Sequence, residues 1–192
     1  MSKIVIINCH PNPESFNAGL AHAYATGALA QGAEIVHIVI GELSFDPNLA
    51  YGYQKRTPLE PDLEEAWQKI LWADHLVWIH PVWWGGLPAI AKGFIDRLFL
   101  PGRAFRYREN SVWWDKLLTG KTAHIIATMD QPGWYYRLVY GKPSINQLKK
   151  STLQFCGVSR VKVTTVGIIK TADKEQRDKW LVQAERLGKR EA

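Results

Sequence analysis

Apolar and polar positions along this chain follow two alternating rhythms. Short unbroken apolar runs, as expected of parallel strands covered on both faces, fall at Ile4–Asn8, within Glu34–Ile40, at His75–His80, near Thr122–Ala127 and at Arg160–Val166. Between them the spacing is helical. One helix opens near Ser15–Asn17 and runs to Gln31, where Gly32 stops it. A second starts at Pro61 and brings Leu63, Ala66, Trp67 and Ile70 onto one face. A third sets Leu87, Ile90, Ala91, Phe94, Ile95 and Leu98 opposite Lys92 and Asp96. A fourth begins at Ser144 with a capping-box pattern, S-x-x-Q, and ends before Gly157. The last runs from about Asp173 to Leu187 with Trp180, Leu181, Ala184 and Leu187 inward. Lys189–Ala192 reads as a loose tail.

Strand alternating with helix predicts an α/β fold, a doubly wound parallel sheet with helices on both faces. Five such units fit the strand order 2-1-3-4-5, in one domain over residues 1–188. In such sheets ligands sit beyond the carboxyl ends of the strands. The loops Cys9–Phe16, Gly41–Glu60, Pro81–Leu87 and Thr128–Pro143 all follow strands and so gather there. Phe99–Gly120 follows a helix and starts from the other edge. It carries Phe105, Tyr107, Trp113 and Trp114, expected outside regular structure as a wrap along the sheet edge or part of a subunit interface.

Composition narrows the function classes. The net charge of +6 suits an anionic partner. The basic residues are interspersed with acidic ones, and no helix-turn-helix, zinc-finger or RNA-binding signature is present, so nucleic acid is not expected. No apolar run is long enough for a membrane span. Met1-Ser2-Lys3 leads straight into a strand, which argues against a signal peptide. Cys9 and Cys156 form no C-x-x-C motif, so a reducing, cytoplasmic home is expected. No clustered Cys/His set suggests a metal. Of the basic residues Lys92, Arg97, Arg103, Arg106 and Arg108, most read as a solvated face.

Three loops carry the candidate chemistry. In His10-Pro11-Asn12-Pro13-Glu14-Ser15-Phe16-Asn17, strand, turn and helix start follow in succession. Free N–H groups at the helix start, with Ser15, Asn17 and His10 as further donors, suit a phosphate. The alternative is a plain helix cap at Ser15. In Pro81-Val82-Trp83-Trp84-Gly85-Gly86-Leu87, two indoles and two glycines suit a flat ring system approached closely by backbone. One of the two Trp is expected to pack inward. In Thr128-Met129-Asp130-Gln131-Pro132-Gly133-Trp134-Tyr135-Tyr136, polar groups suit a heterocycle's edge, and Tyr135, Tyr136 or Tyr140 suits developing charge. An ordinary surface loop is the alternative. Neither G-x-G-x-x-G nor a P-loop motif is present.

Together these residues resemble the NAD(P)H:quinone oxidoreductase family of flavodoxin-like flavoproteins. The likeness rests on His10-Pro11 with Ser15-Phe16-Asn17, Phe45-Asp46-Pro47, Ala73-Asp74, the run from Pro81 to Arg97, and Phe155-Cys156-Gly157. It implies a flavodoxin-like fold and a flavin held by His10, Ser15, Phe16 and Asn17 at the phosphate and ribityl chain. Pro81, Val82, Trp83 and Trp84 would line the isoalloxazine, and Thr128, Met129 and Asp130 would meet its pyrimidine edge. It implies NAD(P)H as cosubstrate, a quinone-like acceptor, ping-pong hydride transfer and a homodimer. The long Gly41–Glu60 segment favours FAD, with FMN as the alternative. A flavin- or nucleotide-binding regulatory subunit of potassium-efflux type, or an electron carrier, is the other reading. The family's Tyr and His near reduced flavin map here only onto Tyr135 or Tyr136, because residues 125–192 contain no His.

Overall fold

The computed structural model describes residues 1–191. Its main sheet joins β1 (Lys3–Asn8), β2 (Glu34–Val39), β3 (His75–Pro81), β6 (Thr122–Thr128) and β7 (Val161–Val166), all parallel, in the order β2-β1-β3-β6-β7. Counted within this sheet, that is the expected order 2-1-3-4-5. β3 is buried at every position, as its unbroken apolar run requires of a central strand. A separate two-stranded antiparallel hairpin, β4 (Phe105–Tyr107) with β5 (Trp114–Lys116), branches from the segment after α3 (Ala89–Leu98).

Two apolar layers flank the sheet. On one face α2 (Pro61–Trp72) and α3 bury Leu63, Trp67, Ile70, Phe94 and Leu98 against Val5, Ile7, Trp78 and Ile125. On the other, α1 (Phe16–Leu29) and α6 (Lys174–Glu191) cover Ile4, Ile6, Val77, Ile79 and Ile126. The small residues of α1 serve its approach to α6 rather than to the sheet. A Cβ at Gly27 would strike the carbonyl of Glu185, and one at Gly188 would strike the carbonyl of Tyr24. Gly27→Ala is therefore expected to lower stability by about 1–3 kcal/mol, measured by urea unfolding. A midpoint equal to wild type would disprove the close approach.

Several expectations need correction. The tail at Lys189–Ala192 is not loose through residue 191: α6 continues to Glu191, whose carboxylate meets Lys162 Nζ at 2.5 Å. Ala192 lies outside the described residues. The aromatics of Phe99–Gly120 are not all outside regular structure, because Phe105, Tyr107 and Trp114 belong to the hairpin and Trp114 stacks on Phe155 at 4.3 Å. Ser144 does not cap a helix. Pro143 opens α5 (Pro143–Asn146), which continues as a π-helix over Gln147–Gln154. A short helix, α4 (Gly133–Leu138), occupies what reads as loop. Of the basic residues read mostly as a solvated face, Arg106 and Arg108 are exposed, Lys92 and Arg103 are partly exposed and paired with Asp96 and Glu64, and Arg97 is buried against Glu60.

Candidate functional site

At the carboxyl edge of the sheet, the loops after β1, β3, β6 and β7 enclose a cavity of about 320 Å³. Its lining includes ten of the residues singled out from sequence: His10, Ser15, Phe16, Asn17, Pro81, Val82, Trp83, Thr128, Met129 and Asp130. Asn12 and Ile169 line it as well. Ile169 could have been found by the carboxyl-edge rule, since it follows the last sheet strand.

The first wall is the turn from β1 into α1. The Asn8 side chain accepts the His10 N–H at 3.1 Å, and the Asn12 N–H points at His10 Nδ1 at 3.0 Å. In the neutral ring that contact leaves the proton on Nε2, ready to donate. Burial holds the His10 pKa below its usual value, which favours the neutral form. Thr128 Oγ1 donates to Asn17 Oδ1 at 2.9 Å, so the Asn17 amide is oriented with its oxygen already engaged. Asn17 Nδ2 and Ser15 Oγ are both buried without a partner. Buried donors of this kind normally have a partner, so a ligand or ordered water is expected to meet them. They stand at the start of α1, whose first N–H groups have no partner within the helix. Ser15 makes no side-chain cap, so its hydroxyl is not engaged by the helix it precedes.

The second wall is the loop after β3. Neither Trp packs into the core: Trp83 is 45 % exposed and Trp84 fully exposed. The expectation that one would pack inward fails because Trp83 and Gly86 close a tight turn by pairing their backbones, which turns Trp84 outward. Trp83 lines the cavity and meets His10 edge-on at 5.4 Å. Trp84 is not part of the lining.

The third wall is the loop after β6. Val82 N–H donates to the Thr128 carbonyl at 2.7 Å, and Met129 N–H to the Val166 carbonyl at 2.9 Å, which extends the sheet's edge to the cavity. Asp130 accepts the Lys170 N–H at 2.7 Å and so draws in the segment that carries Ile169. Neither tyrosine reaches the cavity lining. Tyr135 packs edge-on against Trp134 and Tyr140. Tyr136 is buried, its hydroxyl bonded to Ser144 and to the Gly85 carbonyl. The Tyr136 hydroxyl is sealed beneath the loop and does not face the cavity, which is not the placement expected of a charge-stabilising group. Cys9 is also out of reach, buried with its thiol pKa pushed up by burial.

The family model for the flavodoxin-like fold matches residues 2–187. The chain belongs to the flavodoxin-like fold family. An uncharacterized NAD(P)H oxidoreductase of Haemophilus influenzae is 26 % identical over 90 % of this chain and 87 % of its own length. The ribosyldihydronicotinamide dehydrogenase [quinone] of Rattus norvegicus is 25 % identical over 81 % of this chain and 77 % of its own. Among solved structures, Smu.1420 from Streptococcus mutans UA159 matches with a TM-score of 0.82 and 33 % identity, covering 98 % of this chain and 99 % of that one. The sequence resemblance to NAD(P)H:quinone oxidoreductases thus agrees with the names these flavodoxin-like relatives carry. Among the described residues no helix is long and apolar enough to cross a membrane, and no three or more His, Cys, Asp or Glu side chains group so as to hold a metal ion.

Proposed function

We propose that this flavodoxin-like protein is a flavin-dependent NAD(P)H oxidoreductase acting on a quinone-like acceptor. The observation that carries the reading is the pair of orphaned donors, Ser15 Oγ and Asn17 Nδ2, at a helix start beneath an aromatic wall. Their chemistry fits an anionic group followed by a polyol, and the Trp83 wall fits a planar ring. A bound flavin would supply the hydride-transfer chemistry between NAD(P)H and the acceptor. The chain's residues bind and orient. His10 Nε2, Ser15, Asn17 and the first N–H groups of α1 hold the phosphate end. Pro81, Val82 and Trp83 line one side of the ring, and Thr128, Met129 and Asp130 its edge. Cosubstrate and acceptor would share the open side in turn, which is a ping-pong cycle.

None of residues 41–60 lines the cavity, so that segment adds no contact in favour of FAD beyond the family resemblance, and FMN would use the same wall. The exposed Trp84, Trp134, Leu138 and Tyr140 support a second copy of the chain as cover.

Purified protein incubated with FMN or FAD is expected to turn yellow and to oxidise NADH or NADPH with menadione over many turnovers. Mass analysis of extracted flavin identifies the cofactor. Asn17→Ala and Trp83→Ala are each expected to weaken flavin binding about tenfold with little change in melting temperature. Binding without turnover would move the protein to the regulatory or carrier class. No binding of either flavin would sink the proposal.

A further inference from the structure

A buried polar chain runs under the Trp83–Gly86 turn. His80 Nε2 lies 3.1 Å from Ser144 Oγ, Ser144 Oγ 2.6 Å from the Tyr136 hydroxyl, and the Tyr136 hydroxyl 3.1 Å from the Gly85 carbonyl. The Ser144 N–H adds contacts at 3.0 Å to the Tyr136 hydroxyl and 3.2 Å to the same Gly85 carbonyl. His80, Ser144 and Tyr136 are each fully buried.

Donor counting fixes the direction of this chain. The Gly85 carbonyl only accepts, so the Tyr136 proton goes to it. Tyr136 oxygen then receives the Ser144 proton, and Ser144 oxygen receives the proton on His80 Nε2. A neutral ring with its proton on Nε2 leaves Nδ1 bare, and Nδ1 is the atom with no partner. Burial keeps the ring in that form by lowering its pKa to about 4.

The turn above needs holding. Trp84 has φ +50° and Gly85 φ +76°, the positive pair that a type I′ turn requires. Asn or Gly ordinarily fills the first of those positions, and a bulky residue there is strained. Within the single chain Trp84 is fully exposed, so no packing inside the fold offsets that strain. The same turn carries Trp83, one wall of the cavity.

We propose that His80, Ser144 and Tyr136 are positioning residues that clamp the Gly85 carbonyl, hold the Trp83–Gly86 turn in its strained form and so set the Trp83 wall for its flat ligand. This rests on reading the cavity as a flavin site. It gives the buried tyrosine a task other than contact with the cofactor.

The test has an arm that needs no flavin. Gly86 N–H, bonded to the Trp83 carbonyl at 2.9 Å, reports closure of the turn by amide hydrogen exchange in flavin-free protein. Tyr136→Phe and Ser144→Ala are each expected to speed its exchange about tenfold while β1 and β3 amides stay protected. The same variants are expected to raise the Kd for FMN or FAD, titrated by flavin fluorescence, about tenfold and to raise KM for menadione more than they lower kcat. Trp84→Asn added to Tyr136→Phe is expected to restore Gly86 protection, because Asn tolerates positive φ. If Tyr136→Phe does not fold, His80→Gln against His80→Leu makes the same comparison, since Gln keeps an N–H donor. Gly86 exchange unchanged in these variants overturns the clamp. Wild-type protein that binds neither flavin overturns the site reading instead and leaves the exchange result standing.

Discussion

Lowering the pH from 7 toward 4 is expected to remove several kcal/mol of stability from this protein. Three histidines, His75, His80 and His124, are buried, and burial lowers each pKa from 6.5 to about 4. In the unfolded chain they take up protons near their ordinary pKa, while in the fold they stay neutral until about pH 4. Stability is therefore full above about pH 6.5 and falls as the pH drops toward 4, by up to about 3 kcal/mol per histidine. The surroundings explain the resistance to charging. His75 lies between the Tyr24 hydroxyl at 3.3 Å and Thr122 Oγ1 at 2.7 Å, and His124 Nε2 meets Thr164 Oγ1 at 2.8 Å. Lys162 opposes protonation of both, and Glu191 favours it. Urea midpoints measured across this range check the expectation, and His124→Gln should flatten the slope. Equal stability at pH 7 and pH 5 would falsify it.

Arg97→Ala is expected to cost about 3 kcal/mol and to free the Gly41–Glu60 segment for proteolysis. The guanidinium is 1 % exposed. It donates to both oxygens of Glu60, at 3.1 Å and 2.8 Å, and to the carbonyls of Asp46 and Pro58. Removing it leaves those acceptors facing a void. Gly93 is the second tie, since a Cβ there would strike Pro47. Limited proteolysis with mass mapping checks the result: new cuts within residues 41–60 are expected. Cuts that appear only with global unfolding would mean that the segment is not fastened at this point.

The central strands were legible because burial on both faces leaves continuous apolar runs, as in Ile4-Val5-Ile6-Ile7. The cavity was legible because topology alone sends the loops after β1, β3 and β6 to one edge. What stayed hidden depends on contacts between distant residues. Arg97 sits on an otherwise regular helix, and only the folding back of Asp46, Pro58 and Glu60 turns it into a buried anchor. Ser144 matches a capping box locally, but its hydroxyl is claimed by Tyr136 and His80. Trp84 violates its own turn preference, and no local rule anticipates a bulky residue at φ +50°. Helix α4 lies in a Gly/Pro-rich stretch, where Pro132 at the boundary reads as loop.

The contact between α1 and α6 reaches beyond packing. Phe16, which opens α1 and lines the cavity, rests against Trp180 at 6.0 Å and under Arg177 at 5.8 Å, both from α6. During synthesis the ribosome makes the turn from β1 into α1 early and its buttress only after all five sheet strands. A nascent chain therefore exposes an unfinished pocket until α6 docks. If the cavity is the flavin site proposed above, its occupation belongs to the closing stage of biogenesis, as a seal on an assembled fold rather than the seed around which it forms.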